Sequence, residues 1–193
     1  MEENLRQQSS NCIKVVLFGP ESTGKTTLAK QLAKHYETNW VPEYMREYLQ
    51  EKWNKKKEVC TYSDLLPIAT GQMSLENEYA KTVDKLLFCD TNLLEIKVYA
   101  EVYYHGKVPE TLNKISLENV YDLYLLTYID TPWIADDLRD KPHHREEMFS
   151  RFKESLDKHD IPYITLKGDK NSRLQEAIKI IDQLIEQKSE HNR

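Results

Sequence analysis

The chain has 193 residues and a formal net charge of −5, with 27 Lys or Arg against 32 Asp or Glu. This length suits one domain with a small lid, and the charge gives no electrostatic footprint for nucleic acid. No apolar stretch approaches the roughly 20 residues that a membrane-spanning helix needs. The polar start is neither a signal sequence nor a usual transit peptide. We therefore expect a cytoplasmic protein that binds neither a membrane nor nucleic acid.

The first predicted element is a buried parallel strand at Ile13–Phe18, a short, apolar and β-branched run. It leads into Gly19-Pro20-Glu21-Ser22-Thr23-Gly24-Lys25-Thr26, which matches the phosphate-binding pattern G-x-x-x-x-G-K-S/T at every fixed position. Apolar residues from Leu28 to Tyr36 then recur at the spacing of one helix face. Strand, glycine loop and helix in this order place the helix N-terminus against an anion. The sequence therefore predicts a phosphate-binding loop, or P-loop.

Each fixed position of this loop has a chemical role. Glycine lacks a Cβ, so the backbone N–H groups around Gly19 and Gly24 can approach phosphate oxygens closely. Lys25 can reach the β- and γ-phosphates of a nucleotide, and the Thr26 hydroxyl can bind Mg²⁺. We therefore predict ATP and Mg²⁺ as cofactors. The predicted cofactor-binding residues are Gly19, Glu21, Ser22, Thr23, Gly24, Lys25, Thr26 and Thr27.

Helical and extended patterns alternate along the rest of the chain. The predicted strands are Trp40-Val41, Leu86–Asp90, Asp122–Thr127 and Tyr163–Leu166. Four further helices are predicted. One begins at Glu43, the next runs from Ser63 or Asp64 towards Lys85, the third runs from Asn92 to about Tyr104, and the last covers Leu174–Ile185. This alternation favours an α/β fold, a P-loop NTPase three-layer sandwich with a five-stranded parallel sheet and helices on both faces. We expect a polar tail over 1–11, the P-loop domain over 12–188 and a C-terminal tail over 189–193.

Asp90 follows an apolar strand directly, so it lies at the sheet edge where an α/β fold binds its ligands. A carboxylate there can hold Mg²⁺, directly or through water. The alternative is that Asp90 caps the next helix, a position where Asp is favoured in any case. We favour the metal site, because a P-loop fold is expected to carry a carboxylate on this side.

Glu43 opens the helix after the second strand. If that strand neighbours the strand before the P-loop, Glu43 faces the γ-phosphate and can orient or deprotonate an attacking hydroxyl. Arg46, one turn later, can hold Glu43 or contact a substrate. The structural alternatives are a glutamate that gains from the helix dipole and an ion pair on a surface helix. The sequence favours neither account.

The segment 131–150 is predicted to form a small helical lid. It lies between two strands and is polar, and Pro142 disfavours helix at Lys141, so a bend is expected. A mobile lid excludes water and brings an arginine to the transferring phosphoryl group. Arg139 and Arg145 are the candidates for that role. A surface helix with many salt bridges is the alternative.

Aromatic residues are plentiful, with 12 Tyr and 3 Trp. A flat heteroaromatic substrate can stack on rings near the predicted cleft. Most tyrosines in any domain are half-buried, so each ring taken alone is weak evidence. The rings predicted to fall near the cleft are those of Trp40, Tyr44, Tyr48, Tyr79 and Trp133.

Five short motifs can be compared with known families: Gly19–Thr26, Pro42–Tyr48, Gly71-Gln72, Phe88–Thr91 and Trp133-x-x-Asp136-Asp137-x-Arg139. Together they resemble the ribosylnicotinamide kinase domain of NadR-type proteins. The resemblance covers about Ile13 to Ile185, and the second and last motifs are far more specific than the P-loop alone.

That resemblance implies a P-loop kinase that uses MgATP to phosphorylate the 5′-hydroxyl of nicotinamide riboside. Lys25 and Thr26 would hold phosphate and magnesium, Asp90 would serve the metal side, and Tyr79 would offer a ring to the nicotinamide. The catalytic residues that it implies are Lys25, Glu43, Arg139 and Arg145. The substrate-binding residues that it implies are Trp40, Glu43, Tyr44, Arg46, Tyr79 and Asp90.

One departure from the family is Pro42, because the family often has Trp immediately before its Glu-Tyr pair. Either Trp40 replaces that ring or the pocket suits a different substrate. A kinase for another nucleoside or small hydroxylated metabolite therefore stays an alternative, as does an ATP-binding switch that acts through a partner. Nothing before Cys12 can encode the further domains of full-length relatives, so we expect a stand-alone kinase. The sequence leaves the oligomeric state open.

Overall fold

The computed structural model describes residues 2–136, 138 and 143–191. Its strands within these ranges are β1 (Ile13–Phe18), β2 (Trp40–Val41), β3 (Leu86–Asp90), β4 (Leu123–Thr127) and β5 (Tyr163–Leu166). All neighbouring pairs are parallel, and the order across the sheet is β2-β3-β1-β4-β5. The predicted five-stranded parallel sheet is confirmed for the part of the chain that the structure describes.

The sheet register places the predicted metal-side carboxylate next to the P-loop. Leu17 in β1 pairs with Asp90 in β3, and Phe18 in β1 pairs with Leu126 in β4. The carboxyl ends of these three strands therefore meet at one edge, where doubly wound sheets bind ligands.

Helices cover both faces of the sheet. They are α1 (Lys25–His35), α2 (Tyr44–Lys56), α3 (Leu65–Tyr79), α4 (Leu93–Tyr103), α5 (Glu110–Glu118), α6 (Arg145–Lys158) and α7 (Lys170–His191). Successive side chains of a strand point to opposite faces. Val15 and Leu17 therefore pack against α1 and α7, whereas Val16 and Phe18 pack against α4 and α6.

A third apolar core lies beyond the sheet, where α3, α4 and α5 pack together. Leu5 of a short 3-10 helix (Glu2–Leu5) is completely buried in it. Burial of one leucine side chain stabilises by about 2 kcal/mol. The Asn77 amide donates to the Arg6 carbonyl, and the Asn119 amide donates to the Leu5 carbonyl. The start of the chain therefore packs on the domain, whereas the sequence suggested a polar tail.

Other element bounds differ from the expectation in specific places. The helix predicted to continue towards Lys85 ends at Tyr79, and α5 was not expected. Residues 131–136 have no regular secondary structure, and α6 begins at Arg145, inside the expected lid. Arg139 lies outside the described residues. Within the described ranges, no helix has both the length and the apolar character needed to cross a membrane.

Candidate active site

A cavity of about 920 Å³ lies at the carboxyl edge of the sheet. Its volume is within the range of small-molecule sites. The cavity walls come from the P-loop, from α2 and α4, and from the loops that follow β4 and β5. All the predicted cofactor residues from Glu21 to Thr27 line it.

The P-loop conformation depends on its glycines. Gly19 has φ 140° and Gly24 has φ 86°, both in a region that side chains rarely adopt. A Cβ added at Gly19 would lie 2.7 Å from Thr127 Oγ1, so no larger residue fits there. Gly24 is the N-cap of α1, and the loop therefore presents the N-terminus of that helix to the cavity.

Lys25 is only 7% exposed and points back into this loop. Its Nζ donates to the carbonyls of Gly19, at 2.6 Å, and Pro20, at 3.0 Å. Burial by itself would lower the pKa of Lys25, but the carboxylates of Glu95, Glu43 and Asp90 raise it above its ordinary value. The ammonium therefore stays charged among three acidic groups.

Asp90 and Thr26 form a pair of oxygen donors. Thr26 Oγ1 donates to Asp90 Oδ2 at 2.5 Å, whereas the buried Asp90 Oδ1 has no hydrogen-bond partner. Burial, followed by the charge of Glu43, raises the pKa of Asp90 to about 6. An unsatisfied buried carboxylate oxygen beside a hydroxyl oxygen fits Mg²⁺, which prefers such ligands together with substrate phosphates. The described residues contain no group of three acidic, His or Cys side chains that could hold a metal ion unaided.

Glu95 is a residue of this site that the sequence reasoning missed. It is fully buried in the first turn of α4, and its Oε1 lies 3.1 Å from Lys25 Nζ. Its Oε2 accepts the Gly19 N–H at 3.3 Å, and its Oε1 accepts the Thr91 hydroxyl at 3.2 Å. Burial raises the pKa of Glu95. Its place in the first turn of the helix that follows Asp90 was the available signal, but glutamate in a first turn is common for helix-dipole reasons.

The start of α2 is held by the Gly71-Gln72 motif, which aims Glu43 at the cavity. Gln72 Oε1 accepts the Tyr44 N–H at 2.8 Å, and Gln72 Nε2 donates to the Pro42 carbonyl at 3.2 Å. A Cβ at Gly71 would lie 2.0 Å from the Tyr44 ring, so only glycine allows this approach. Glu43 lines the cavity, but the Tyr44 ring does not.

The two described candidate arginines both contact the segment after β4. Arg46 Nη2 donates to Asp136 Oδ2 at 2.6 Å, and Arg46 lines the cavity. Arg145 Nη1 donates to the Thr131 carbonyl at 2.7 Å, and its Nη2 donates to the Ser22 carbonyl of the P-loop at 3.2 Å. Arg145 therefore touches the P-loop without lining the cavity.

None of the five rings predicted to fall near the cleft, those of Trp40, Tyr44, Tyr48, Tyr79 and Trp133, lines the cavity. Trp40 packs in the core on the α1 side, with Lys30 Nζ 5.2 Å from its ring centre, and Tyr79 packs on the core of the opposite face. One part of the cavity, which we call the apolar arm, is instead lined by Met45, Leu49, Trp53, Leu65, Tyr99, Tyr103 and Tyr104.

The apolar arm depends on an unusual helix. Met45, Leu49 and Trp53 are spaced four residues apart on α2, which is the pattern of a core-facing stripe. No residue of α2 is fully buried, however. Met45 and Leu49 pack against the third core but stay partly exposed, as Trp53 does, so the stripe remains open to the cavity. The sequence could not separate this surface from a core face, because both have the same period.

A parallel sheet with a P-loop, a buried lysine and a Thr–Asp pair at its carboxyl edge defines a P-loop nucleotide-binding protein. The profile of a family described as an AAA domain matches residues 14–173. The chain belongs to that family.

Comparison with curated proteins gives relatives in two bacteria. The chain is 27% identical over 174 residues to the trifunctional NAD biosynthesis/regulator protein NadR of Escherichia coli K12, and 26% identical to that of Salmonella typhimurium. Each match covers 89% of this chain but 42% of the relative. The chain therefore spans less than half the length of these curated relatives.

Solved structures share the fold. A crystal structure of a NadR protein in complex with NR has a TM-score of 0.77 at 23% identity, over 91% of this chain and 52% of that one. A deoxyadenosine kinase from M. mycoides has a TM-score of 0.63 at 15% identity, over 89% of this chain and all of its own. At such identities the likeness establishes the fold.

Proposed function

We propose that the chain is an ATP-dependent kinase that phosphorylates the 5′-hydroxyl of a nucleoside, with nicotinamide riboside as the first candidate acceptor. The observation that carries this proposal is that one cavity contains both the P-loop and the apolar arm, with Glu43 also in its wall. The similarity to NadR proteins, one of which binds NR, supports the choice of acceptor.

The nucleotide is held mainly by positive charge. Lys25 and the N-terminus of α1 stabilise the charge that develops on the phosphoryl group. Thr26 and Asp90 would hold Mg²⁺, which neutralises phosphate charge when it is bound. Arg145 already contacts the P-loop through Ser22 and would need only a short movement to reach a phosphate.

The acceptor is held mainly by apolar contact. A flat base fits between the stripe of α2 and the tyrosines of α4, and the ribose then lies towards Glu43. Glu43 accepts the hydroxyl proton while the acceptor oxygen bonds to the γ-phosphorus and the bond to ADP breaks. Orientation and charge stabilisation supply most of the rate.

The proposal also includes the lid and the cellular location of the protein. The segment 131–150 would close as a lid over the bound substrates, and the protein would work in the cytoplasm, where ATP is available. Asp136 in that segment already pairs with Arg46 across the cavity.

The direct test incubates the purified chain with MgATP and nicotinamide riboside and follows nicotinamide mononucleotide by mass. A control without acceptor measures ADP release. We expect mononucleotide well above the control level. ADP release without mononucleotide would refute this acceptor and leave the P-loop assignment in place.

A second candidate is a kinase for another nucleoside. It is favoured by Pro42, which stands where the family often has Trp, and by the positions of Trp40 and Tyr79 outside the cavity. A panel of purine, pyrimidine and pyridine nucleosides, compared by kcat/KM, would separate the two. If ATP binds but no acceptor in the panel reacts, a nucleotide-dependent switch replaces both.

A further inference from the structure

Arg173, in the first turn of α7, joins three loops at the edge of the cavity. It is only 3% exposed. Its Nε donates to the Gly168 carbonyl at 2.9 Å, its Nη1 to the Thr23 carbonyl at 2.6 Å, and its Nη2 to the Tyr128 carbonyl at 2.7 Å. Nη2 also pairs with the Asp130 carboxylate. One planar guanidinium therefore connects the P-loop with the loops that follow β4 and β5.

Asp130 completes this connection. Its Oδ2 accepts the Gly168 N–H at 2.6 Å, so the loops after β4 and β5 are joined a second time. Burial raises the pKa of Asp130, but the Gly168 N–H and the Arg173 charge together hold it below its ordinary value. The carboxylate is therefore ionised, and both contacts are charge-assisted.

These loops form one end of the cavity, which we call the loop end, lined by Asp130, Gly168, Asp169, Lys170 and Arg173. They follow β4 and β5, whereas α2 follows β2 at the opposite edge of the sheet. With the triphosphate on the P-loop and the acceptor in the apolar arm, the loop end remains for the base and ribose of the nucleotide.

We propose that Arg173, with Asp130 as its acceptor, is a positioning residue that sets the spacing of the pocket for the nucleoside half of ATP. The loops themselves are irregular. Their separation is set by these side-chain bonds together with the Tyr128 N–H bond to the Leu166 carbonyl and the Thr131 hydroxyl bond to the Ser22 carbonyl. The inference rests on the proposed function in taking ATP as the nucleotide and in placing the acceptor in the apolar arm. It concerns ATP binding, which can be measured without any acceptor.

The test compares a whole nucleotide with a phosphate chain that has no base. MgATP and magnesium tripolyphosphate are each titrated calorimetrically into the wild type, Asp130→Ala and Arg173→Lys. Asp130→Ala removes the acceptor of Gly168 and Arg173 but leaves the Arg173 bond to Thr23. We expect it to weaken ATP binding about tenfold, the value of one or two charge-assisted hydrogen bonds, and tripolyphosphate binding less than twofold.

Arg173→Lys keeps the charge but loses the planar fork, so we expect a larger loss of ATP affinity than for Asp130→Ala. In kinase assays the KM for ATP should rise in both variants while the KM for the acceptor stays unchanged. The control is Tyr36→Phe, which removes hydrogen bonds between α1 and α7 at Ile178 and Asp182, away from the cavity. It should leave both affinities unchanged.

An equal loss of ATP and tripolyphosphate affinity would overturn the inference, because it would indicate a general loss of structure. Unchanged ATP affinity in Asp130→Ala would also overturn it. If the wild type binds ATP and the variants behave as expected but no acceptor is phosphorylated, the inference stands and the proposed kinase function fails.

Discussion

The two ends of the cavity are built in different ways. The P-loop and the loop end consist of backbone groups held by glycines, buried ion pairs and the contacts of Arg173. The apolar arm consists mainly of side chains on α2, α3 and α4, and no residue of α2 is fully buried. In the proposed function, fixed geometry would bind the nucleotide, whereas replaceable side chains would bind the acceptor. Phosphate chemistry is therefore expected to change less easily by mutation than acceptor choice.

Removal of the P-loop lysine should have the largest effect. Lys25→Ala takes away the charge that stabilises the phosphoryl group, and we expect kcat to fall by about 10²–10³-fold. It also leaves Glu95 buried without its cation, so a lower melting temperature should accompany the loss. Lys34→Ala, on the exposed side of α1, is the matched control and should be neutral. An unchanged transfer rate in Lys25→Ala would contradict the kinase assignment.

Two glycine substitutions should weaken the binding of one substrate each, ATP in one case and the acceptor in the other. Gly19→Ala places a Cβ 2.7 Å from Thr127 Oγ1 at φ 140°, and the strain should weaken ATP binding by at least about tenfold. Gly71→Ala collides with the Tyr44 ring and displaces the start of α2, so it should raise the KM for the acceptor and spare that for ATP.

The control for this pair is the double variant Gly71→Ala/Tyr44→Ala, which removes the collision. It should recover part of the acceptor affinity. If Gly71→Ala raises both KM values equally, the start of α2 affects ATP binding as well as acceptor binding, and the expected difference between the two ends is wrong.

Substitution of Trp53 and Trp40 should show whether the apolar arm binds the acceptor. Trp53→Leu shortens the wall of the apolar arm, and we expect the KM for the acceptor to rise about threefold to tenfold, the value of an aromatic stacking contact. Trp40→Leu changes a ring outside the cavity and should leave this KM unchanged. Steady-state kinetics for both substrates measures the difference. A larger increase of the acceptor KM in Trp40→Leu than in Trp53→Leu would mean that the acceptor base stacks on Trp40 instead.

Substitution of Asp64 should have the smallest effect, and it should change the stability of the protein rather than substrate binding. Burial raises its pKa, but Lys52, Thr61 and Tyr48 outweigh this and lower it to about 2. A lowered folded pKa gives stability that is present above about pH 4 and is lost as the pH falls towards 2. Asp64→Asn should therefore lower the free energy of unfolding by about 2 kcal/mol at pH 7.

Urea denaturation at several pH values checks this prediction. The difference between wild type and Asp64→Asn should shrink between pH 4 and pH 2. Asp157→Asn removes an exposed carboxylate paired with Lys153 and should have almost no effect. A constant difference across this pH range would mean that the Asp64 charge is not the cause.

The sequence revealed features whose geometry is local. The P-loop is contiguous, so its residue types predict its conformation, and Asp90 could be placed because it ends an apolar strand. The strands were recognisable because both faces of the sheet are covered, which makes them apolar throughout. These regularities were enough to predict the fold class and the place of the P-loop between β1 and α1.

Other features depend on elements that are distant in the chain. Glu95 and Arg173 appear in the sequence as ordinary charges near helix starts, and only packing buries them against Lys25 and Thr23. The stripe of α2 has the period of a core face whether protein or ligand covers it. Leu5 was unremarkable until α3 and α5 enclosed it.

The sequence by itself therefore determined the position of the P-loop and the fold class that presents it, because short-range backbone geometry decides both. Only the tertiary structure decided which acids surround Lys25, which rings line the apolar arm and which arginine joins the loops. Burial and proximity are properties of elements that meet after long stretches of chain, and no local pattern encodes which of them meet.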